Sequence, residues 1–116
     1  MSLSEVYAKV PHIRCKGLCD RYCGPVPVSR RELKAMRRAS GKRLRIAYEH
    51  SNGHVTLKPR KNWHCPCLKG NRCTIYEDRP LICRVWGVAE DLECPHGCKP
   101  SRVMTKDEVF ILVNHT

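Results

Sequence analysis

The chain has 116 residues, nine cysteines and a formal net charge of +11 with histidine neutral. This length fits a single domain over residues 1–116. No apolar run approaches the roughly 20 residues that a membrane-spanning helix needs, and residues 1–11 lack the apolar stretch of a secretory signal peptide. We therefore expect a cytoplasmic protein that has no membrane partner.

The first predicted element is a helix that begins after Ser29. Serine is a favoured N-cap residue, and Glu32 completes a capping box three residues later. Gly41 favours the end of a helix, so the pattern predicts a helix over residues 30–39. A helical wheel places the cations of this segment on one face, opposite the apolar residues. These cations are Arg30, Arg31, Lys34, Arg37 and Arg38.

A β-hairpin is predicted over residues 43–58. Apolar and polar residues alternate on both sides of an Asn-Gly pair, which is typical of a two-residue hairpin turn. A turn of that length pairs Tyr48 with Leu57. A helix over residues 41–50 is the competing interpretation of the first half of this segment.

Two further helix signals follow in the second half of the chain. Pro80 fits the first position of a short helix over residues 81–85. Thr105 and Glu108 repeat the capping box and predict a helix over residues 106–114, which we expect to pack on a metal-stabilised core. The prolines and glycines between these elements favour loops.

The nine cysteines carry most of the remaining chemistry. A reducing cytosol disfavours disulfides, and an odd number of thiols cannot pair completely, so we interpret the cysteines as metal ligands. No CxxC pair occurs, although zinc fingers usually contain one. Irregular, widely separated cysteines suit a 4Fe–4S cluster, which needs only four sulfur atoms that meet in space. An iron–sulfur cluster is therefore the favoured cofactor, and zinc is the alternative.

A family resemblance is carried by residues 65–87. The run CPCL, followed by CTIYEDRPLICRVWG, resembles the pattern CPxL…CxIYxxRPxxCR of the YkgJ-type cysteine-cluster family, whose members are described as zinc- or iron-chelating domains. The loop from Cys15 to Cys23 resembles the family's N-terminal cluster. The run CPHGCKP at residues 94–100 looks like the closing element of some members, including ones from bacteria and their phages. The resemblance covers about residues 12–105 and implies metal or iron–sulfur binding.

The resemblance also implies a set of ligands. The family's N-terminal cluster is often CxxCGxCC, whereas this chain has CxxxCxxxC, and Cys67 occupies a variable position of the motif. Cys67 is therefore an additional candidate. The expected ligands are Cys15, Cys19, Cys23, Cys65, Cys73, Cys83, Cys94 and Cys98. We expect Arg79 and Arg84 to donate hydrogen bonds to the sulfur atoms or to nearby carbonyl groups.

These signals predict a small, cysteine-rich, metal-stabilised domain of α+β or irregular class. It has two short helices, one hairpin and loops that wrap the metal site. We expect a metal-binding protein with an accessory, redox or sensing role and an unidentified protein partner. The alternative is a zinc-stabilised module that binds nucleic acid through the basic residues 30–45. Paired carboxylates for acid–base catalysis are not apparent, so we assign no catalytic residues and do not expect an enzyme.

Overall fold

Two units make up the fold of this chain. Residues 17–80 form one, and residues 1–16 together with residues 81–116 form the other. The computed structural model of the protein describes residues 1–13, 24, 26–69, 72–95 and 97–116. Cys15, Cys19 and Cys23, three of the expected ligands, lie outside the described residues. The single domain expected over the whole chain stays a prediction.

A three-stranded antiparallel sheet lies in the unit of residues 17–80. In the order of their pairing, its strands are β1 (Pro27–Val28), β3 (Val55–Leu57) and β2 (Ile46–Glu49). Strands β2 and β3 confirm the hairpin predicted over residues 43–58. No sequence signal predicts β1, because its two residues become a strand only by pairing with β3.

The turn of this hairpin is longer than the sequence predicts. The amide of Gly53 donates to the carbonyl of His50 (3.0 Å), and the amide of His50 donates to the carbonyl of His54 (2.8 Å), which leaves a three-residue loop. Gly53 has a φ of 88°, the left-handed conformation that ends such a loop. The longer loop pairs Tyr48 with Thr56, and a bulge between Ile46 and Tyr48 then pairs Ile46 with Leu57. The predicted partner of Tyr48 is therefore wrong, because the glycine closes a three-residue loop.

Helix α2 (Arg30–Ser40) confirms the helix predicted after Ser29 and extends it by one residue. The hydroxyl of Ser29 accepts a hydrogen bond from the amide of Glu32 (3.0 Å), and the Glu32 carboxylate accepts one from the amide of Ser29 (3.0 Å). The helix ends at Gly41, which has a φ of 66°. Leu33 and Met36 of its apolar face are buried, whereas all five cations of the predicted face are exposed.

A second, shorter hairpin follows in the same unit. Strands β4 (Leu68–Lys69) and β5 (Arg72–Cys73) pair in antiparallel orientation. A 3₁₀ turn precedes this hairpin at Lys61–Trp63, and another follows it at Tyr76–Asp78. The buried core of the unit consists of Val28, Leu33, Met36, Leu44, Val55, Leu57, Cys65, Cys67, Leu68 and Ile75.

The described part of the other unit is built from helices. They are α1 (Leu3–Ala8), α3 (Leu81–Val85) and α4 (Lys106–Val113). Helices α3 and α4 confirm the two predicted there. Helix α1 begins with a capping box of Ser2 and Glu5. The sequence therefore contains a signal for this helix, although no helix is predicted there. The buried core of this unit consists of Val6, Leu81, Val85, Val88, Ala89, Met104 and Leu112.

The described residues thus form a small cysteine-rich fold with helices and short antiparallel strands. It has four α-helices in the described ranges, two more than the fold-class prediction states. The expectation that loops wrap a metal site stays a prediction. None of the described helices has both the length and the apolar character that a membrane span requires.

Candidate metal centre

Cys65 and Cys67 lie together in the apolar core of residues 17–80. The two residues are only 8% and 1% exposed, and the Cys67 thiol donates a hydrogen bond to the sulfur of Cys65. The amide of Leu68 donates to the carbonyl of Cys65 (3.0 Å), which closes a tight turn over the Cys-Pro-Cys-Leu run. This turn places two sulfur atoms in contact inside the core.

Cys73 reaches the same part of the unit through the second hairpin. It lies opposite Leu68 in the pairing of β4 and β5. The next residue, Thr74, donates from its amide and from its hydroxyl to the carbonyl of Cys67, at 2.8 Å in each case. The hairpin and the Thr74 hydrogen bonds therefore fasten the segment that carries Cys73 to the turn that carries the other two thiols.

Ionisation of the Cys67 and Cys73 thiols is unfavourable in the absence of a cation, because both have a raised pKa. The hydrogen bond to Cys65, burial, and the charges of Cys65 and Cys73 raise the pKa of Cys67 well above its ordinary value of 9.0. Burial is the main cause that raises the pKa of Cys73. A soft metal ion reverses this cost, since a thiol that coordinates metal is deprotonated. The donor chemistry of the three thiols therefore fits a thiophilic metal.

Two cations hold the backbone of the Cys-Pro-Cys-Leu turn. The ammonium group of Lys42 donates to the carbonyl of Pro66 (3.3 Å), and the guanidinium of Arg60 donates to the carbonyl of Leu68. The positive charge of Lys42 also opposes the rise in the pKa of Cys67. These two side chains fix the turn and place positive charge near the sulfur atoms.

Arg79 and Arg84, which the sequence places near the ligands, both lie over tyrosine rings. Arg79 donates from Nε to the carbonyl of Tyr76 (2.8 Å), and its guanidinium lies 3.9 Å from the centre of the Tyr76 ring. Its charge opposes the rise in the pKa of Cys73. In the other unit, the guanidinium of Arg84 lies 3.9 Å from the centre of the Tyr7 ring. Their hydrogen bonding to sulfur atoms stays a prediction.

The other three described cysteines belong to the unit of residues 1–16 and 81–116. Cys83, on helix α3, and Cys94 are half-buried, and Cys98 is buried. Gly87 has a φ of 84°, and a Cβ atom at this position would lie 3.5 Å from the Cβ of Cys94 and 2.9 Å from Cδ1 of Ile13. The positive φ and the close approach of Ile13 therefore favour glycine at this position, whereas the distance to Cys94 is an ordinary contact.

Within the described ranges, no three His, Cys, Asp or Glu side chains are arranged so that they could hold a metal ion. The N-terminal cysteines of the predicted ligand set fall outside those ranges. The structure brings Cys65, Cys67 and Cys73 into one part of a unit. The sequence predicts the eight ligands without dividing them among sites.

One protein-family model matches residues 14–107, a range that contains all nine cysteines. The model is named CxxCxxCC and is described as a "putative zinc- or iron-chelating domain". The chain belongs to this family. Neither a curated protein nor a solved structure matches the chain.

Membership of the CxxCxxCC family agrees with metal binding by the cysteines. It confirms the resemblance drawn from the CPxL and RPxxCR motifs, and the description names zinc and iron without choosing between them. The family motif gives Cys67 no role, because its position in the motif is variable. The signal for its place beside Cys65 is the Cys-Pro-Cys spacing, which allows one tight turn to carry both sulfur atoms.

Proposed function

We propose that the protein holds a 4Fe–4S cluster through cysteine thiolates and has an accessory, redox or sensing role. The observation that carries this proposal is the buried pair of Cys65 and Cys67 with Cys73 on the adjoining hairpin. All three donors are sulfur, and soft thiolates suit iron–sulfur clusters or zinc rather than Mg²⁺ or Ca²⁺. Irregular spacing without a CxxC pair favours the cluster over a zinc knuckle.

The proposal assigns Cys65 and Cys73, in the unit of residues 17–80, as ligands. The other members of the predicted set, Cys15, Cys19, Cys23, Cys83, Cys94 and Cys98, stay predicted ligands without an assignment to a particular site. When bound, such a cluster supplies a one-electron redox couple. The chain itself supplies thiolate donors, a core that excludes water, and the cations Lys42 and Arg60, which fix the turn and offset negative charge.

Zinc is the second candidate for the same donors. A four-thiolate zinc site is structural and has no redox chemistry. Its function would be to stabilise the fold, and activity would then have to lie on the protein surface. The burial of Cys65 and Cys67 fits a structural zinc site as well as an iron–sulfur cluster. Measuring the metal and sulfide content of the protein distinguishes the two.

The test is iron, zinc and acid-labile sulfide analysis of protein purified without oxygen, together with a visible spectrum. The expected result is brown protein with about four iron and four sulfide per chain, which bleaches on reduction. Colourless protein with zinc and no sulfide would support the zinc alternative. Folded protein without either metal would contradict both assignments.

A further inference from the structure

We propose that a cationic groove in residues 17–80, together with the exposed Trp63, binds single-stranded nucleic acid. The groove is shallow and has a volume of about 290 Å³. Most of its lining residues are cations. They are Lys42, Arg43, Arg45, Lys58 and Arg60, and the lining is completed by Leu44, Pro59 and Pro66.

No carboxylate lines the groove, and in the described part of the chain no salt bridge involves its cations. Lys42 and Arg60 donate to carbonyl groups of the Cys-Pro-Cys-Leu turn. The side chains of Arg43, Arg45 and Lys58 are exposed and have no hydrogen-bond or ion-pair partner among the described residues. These three cations are therefore available to an external anion.

The groove keeps like charges close together. The amide of Lys58 donates to the carbonyl of Arg45 (2.7 Å), so the two cationic residues are neighbours across the open end of the β2–β3 hairpin. Like charges on neighbouring strands destabilise a sheet. A chain of phosphates relieves this repulsion and releases its own counterions when it binds. The charge pattern therefore fits a phosphodiester backbone better than an isolated carboxylate ligand.

Trp63 supplies an exposed aromatic ring three residues after Arg60, which lines the groove. It is 76% exposed and has a φ of 63°, a left-handed conformation that is costly for a bulky residue. The Trp63 amide donates to the Arg60 carbonyl (3.2 Å), and the Arg60 amide donates to the His64 carbonyl (2.9 Å). This closed loop fixes the backbone of Trp63 three residues after Arg60, which lines the groove, and the indole is exposed to solvent. Cations with an adjacent exposed aromatic ring are typical of proteins that bind single strands through phosphates and base stacking.

The basic face of α2 fits this role less well than the groove does. Arg30 forms a salt bridge with Glu49 (2.7 Å). Arg37 donates two hydrogen bonds to the carbonyl of Leu44, at 3.0 and 2.6 Å. Helix α2 also contains no aromatic residue on which a base could stack. The helix therefore provides a matched control for the groove.

The test titrates the full-length, metal-loaded protein with a labelled oligo(dT) of about 15 nucleotides at several salt concentrations. The groove variant combines Arg43→Gln, Arg45→Gln and Lys58→Gln. The control variant removes the same charge from α2 by combining Arg31→Gln, Lys34→Gln and Arg38→Gln. Both variants retain Lys42 and Arg60, which donate to the Cys-Pro-Cys-Leu turn. Metal content and circular dichroism confirm that each variant is folded.

We expect the groove variant to lose most of its affinity at low salt. The slope of log K against log salt should become shallower by about 2, since each phosphate contact with a single strand contributes about 0.7. The α2 variant should keep the parental slope within about 0.5. No binding by the parent protein at low salt would overturn the proposal, as would an equal or larger loss in the α2 variant.

Substitutions of Trp63 test the stacking part of the proposal. Trp63→Ala should weaken binding of oligo(dT) by about tenfold or more, because a stacked base contributes about 1–3 kcal/mol. Trp63→Phe keeps an aromatic face and should recover most of the affinity. A duplex of the same length should bind independently of this residue. Unchanged affinity in Trp63→Ala would overturn the proposal for single strands.

Discussion

Cys65 and Cys67 are separated by one proline, yet they differ in their surroundings. Cys67 is 1% exposed, and its thiol is hydrogen-bonded to the sulfur of Cys65, which is 8% exposed. A buried cysteine of this kind packs as a small apolar residue. We therefore expect Cys65 to act as a ligand, whereas Cys67 fills the core behind it.

Alanine substitutions should separate these two roles. Cys65→Ala removes one thiolate of four, which forfeits about a quarter of the roughly 10–16 kcal/mol of a structural metal site and lowers metal affinity by about a hundredfold. Cys67→Ala should bind metal within about threefold of the parent, because it removes only packing atoms. Competition with a chromogenic chelator measures both affinities. Equal losses in the two variants would show that Cys67 is itself a ligand.

Arg60 acts on the centre through the backbone. Its guanidinium donates to the carbonyl of Leu68, the residue that closes the turn carrying the thiols. Arg60→Met should therefore increase the rate of metal release to a chelator by about tenfold. Loss of a group that orients metal ligands typically lowers metal affinity by about 10- to 100-fold, and we expect the lower value. Lys61→Met removes the same charge from the next residue and should leave the rate unchanged. The same increase in both variants would indicate an effect of charge rather than of orientation.

Three of the four α-helices in the described chain begin with a capping box, and these boxes differ in burial. Ser29 and Glu32 are 6% and 2% exposed, whereas Ser2 and Glu5 are exposed to solvent. Water can replace a lost partner only at the exposed box. The same capping box therefore contributes more to the free energy of unfolding in α2 than in α1.

Ser29→Ala should lower the free energy of unfolding by about 2 kcal/mol, because it leaves the buried amide of Glu32 without its acceptor. Ser2→Ala should cost about 0.5 kcal/mol, since water can bind the amide of Glu5. Urea denaturation of both variants measures the difference. Equal costs would mean that burial of the α2 box adds nothing to its stability.

A complete local signal makes an element predictable from the sequence, and by that rule α1, with its capping box of Ser2 and Glu5, is predictable too. The capping residues and Gly41 predict α2, and the box at Thr105 predicts α4. Strands β1, β4 and β5 contain two residues each, so their pairing partners and not their own residues make them strands. The family motif predicts which cysteines belong to the site. It does not predict that Cys73 approaches Cys65 and Cys67, because that depends on the pairing of β4 with β5.

At the scale of the whole molecule, metal and fold are connected because the candidate ligands are part of the core. Cys65 and Cys67 belong to the buried cluster of residues 17–80 together with Leu68 and Ile75. The hydrogen bond to Cys65 and burial raise the pKa of Cys67, and burial raises the pKa of Cys73, so these two thiols are costly to ionise without a cation. Metal binding therefore adds its free energy directly to the stability of the native state, since the unfolded chain has no preformed site.

Metal removal should lower the stability of the protein substantially and reversibly. At a metal concentration about a thousandfold above the dissociation constant, binding contributes about 4 kcal/mol, which corresponds to about 15 °C in melting temperature for a chain of this size. Thermal unfolding with and without a chelator, under reducing conditions, measures this shift.

Amide exchange at Thr74, whose amide is bonded to the Cys67 carbonyl, should also accelerate when the metal is removed. Reconstitution with iron and sulfide under reducing conditions, or with zinc where zinc is the native metal, should recover both values. Mg²⁺ should recover neither, because it prefers oxygen ligands. An unchanged melting temperature after complete metal removal would contradict a structural role for the metal. It would mean that the apolar cores alone stabilise the fold.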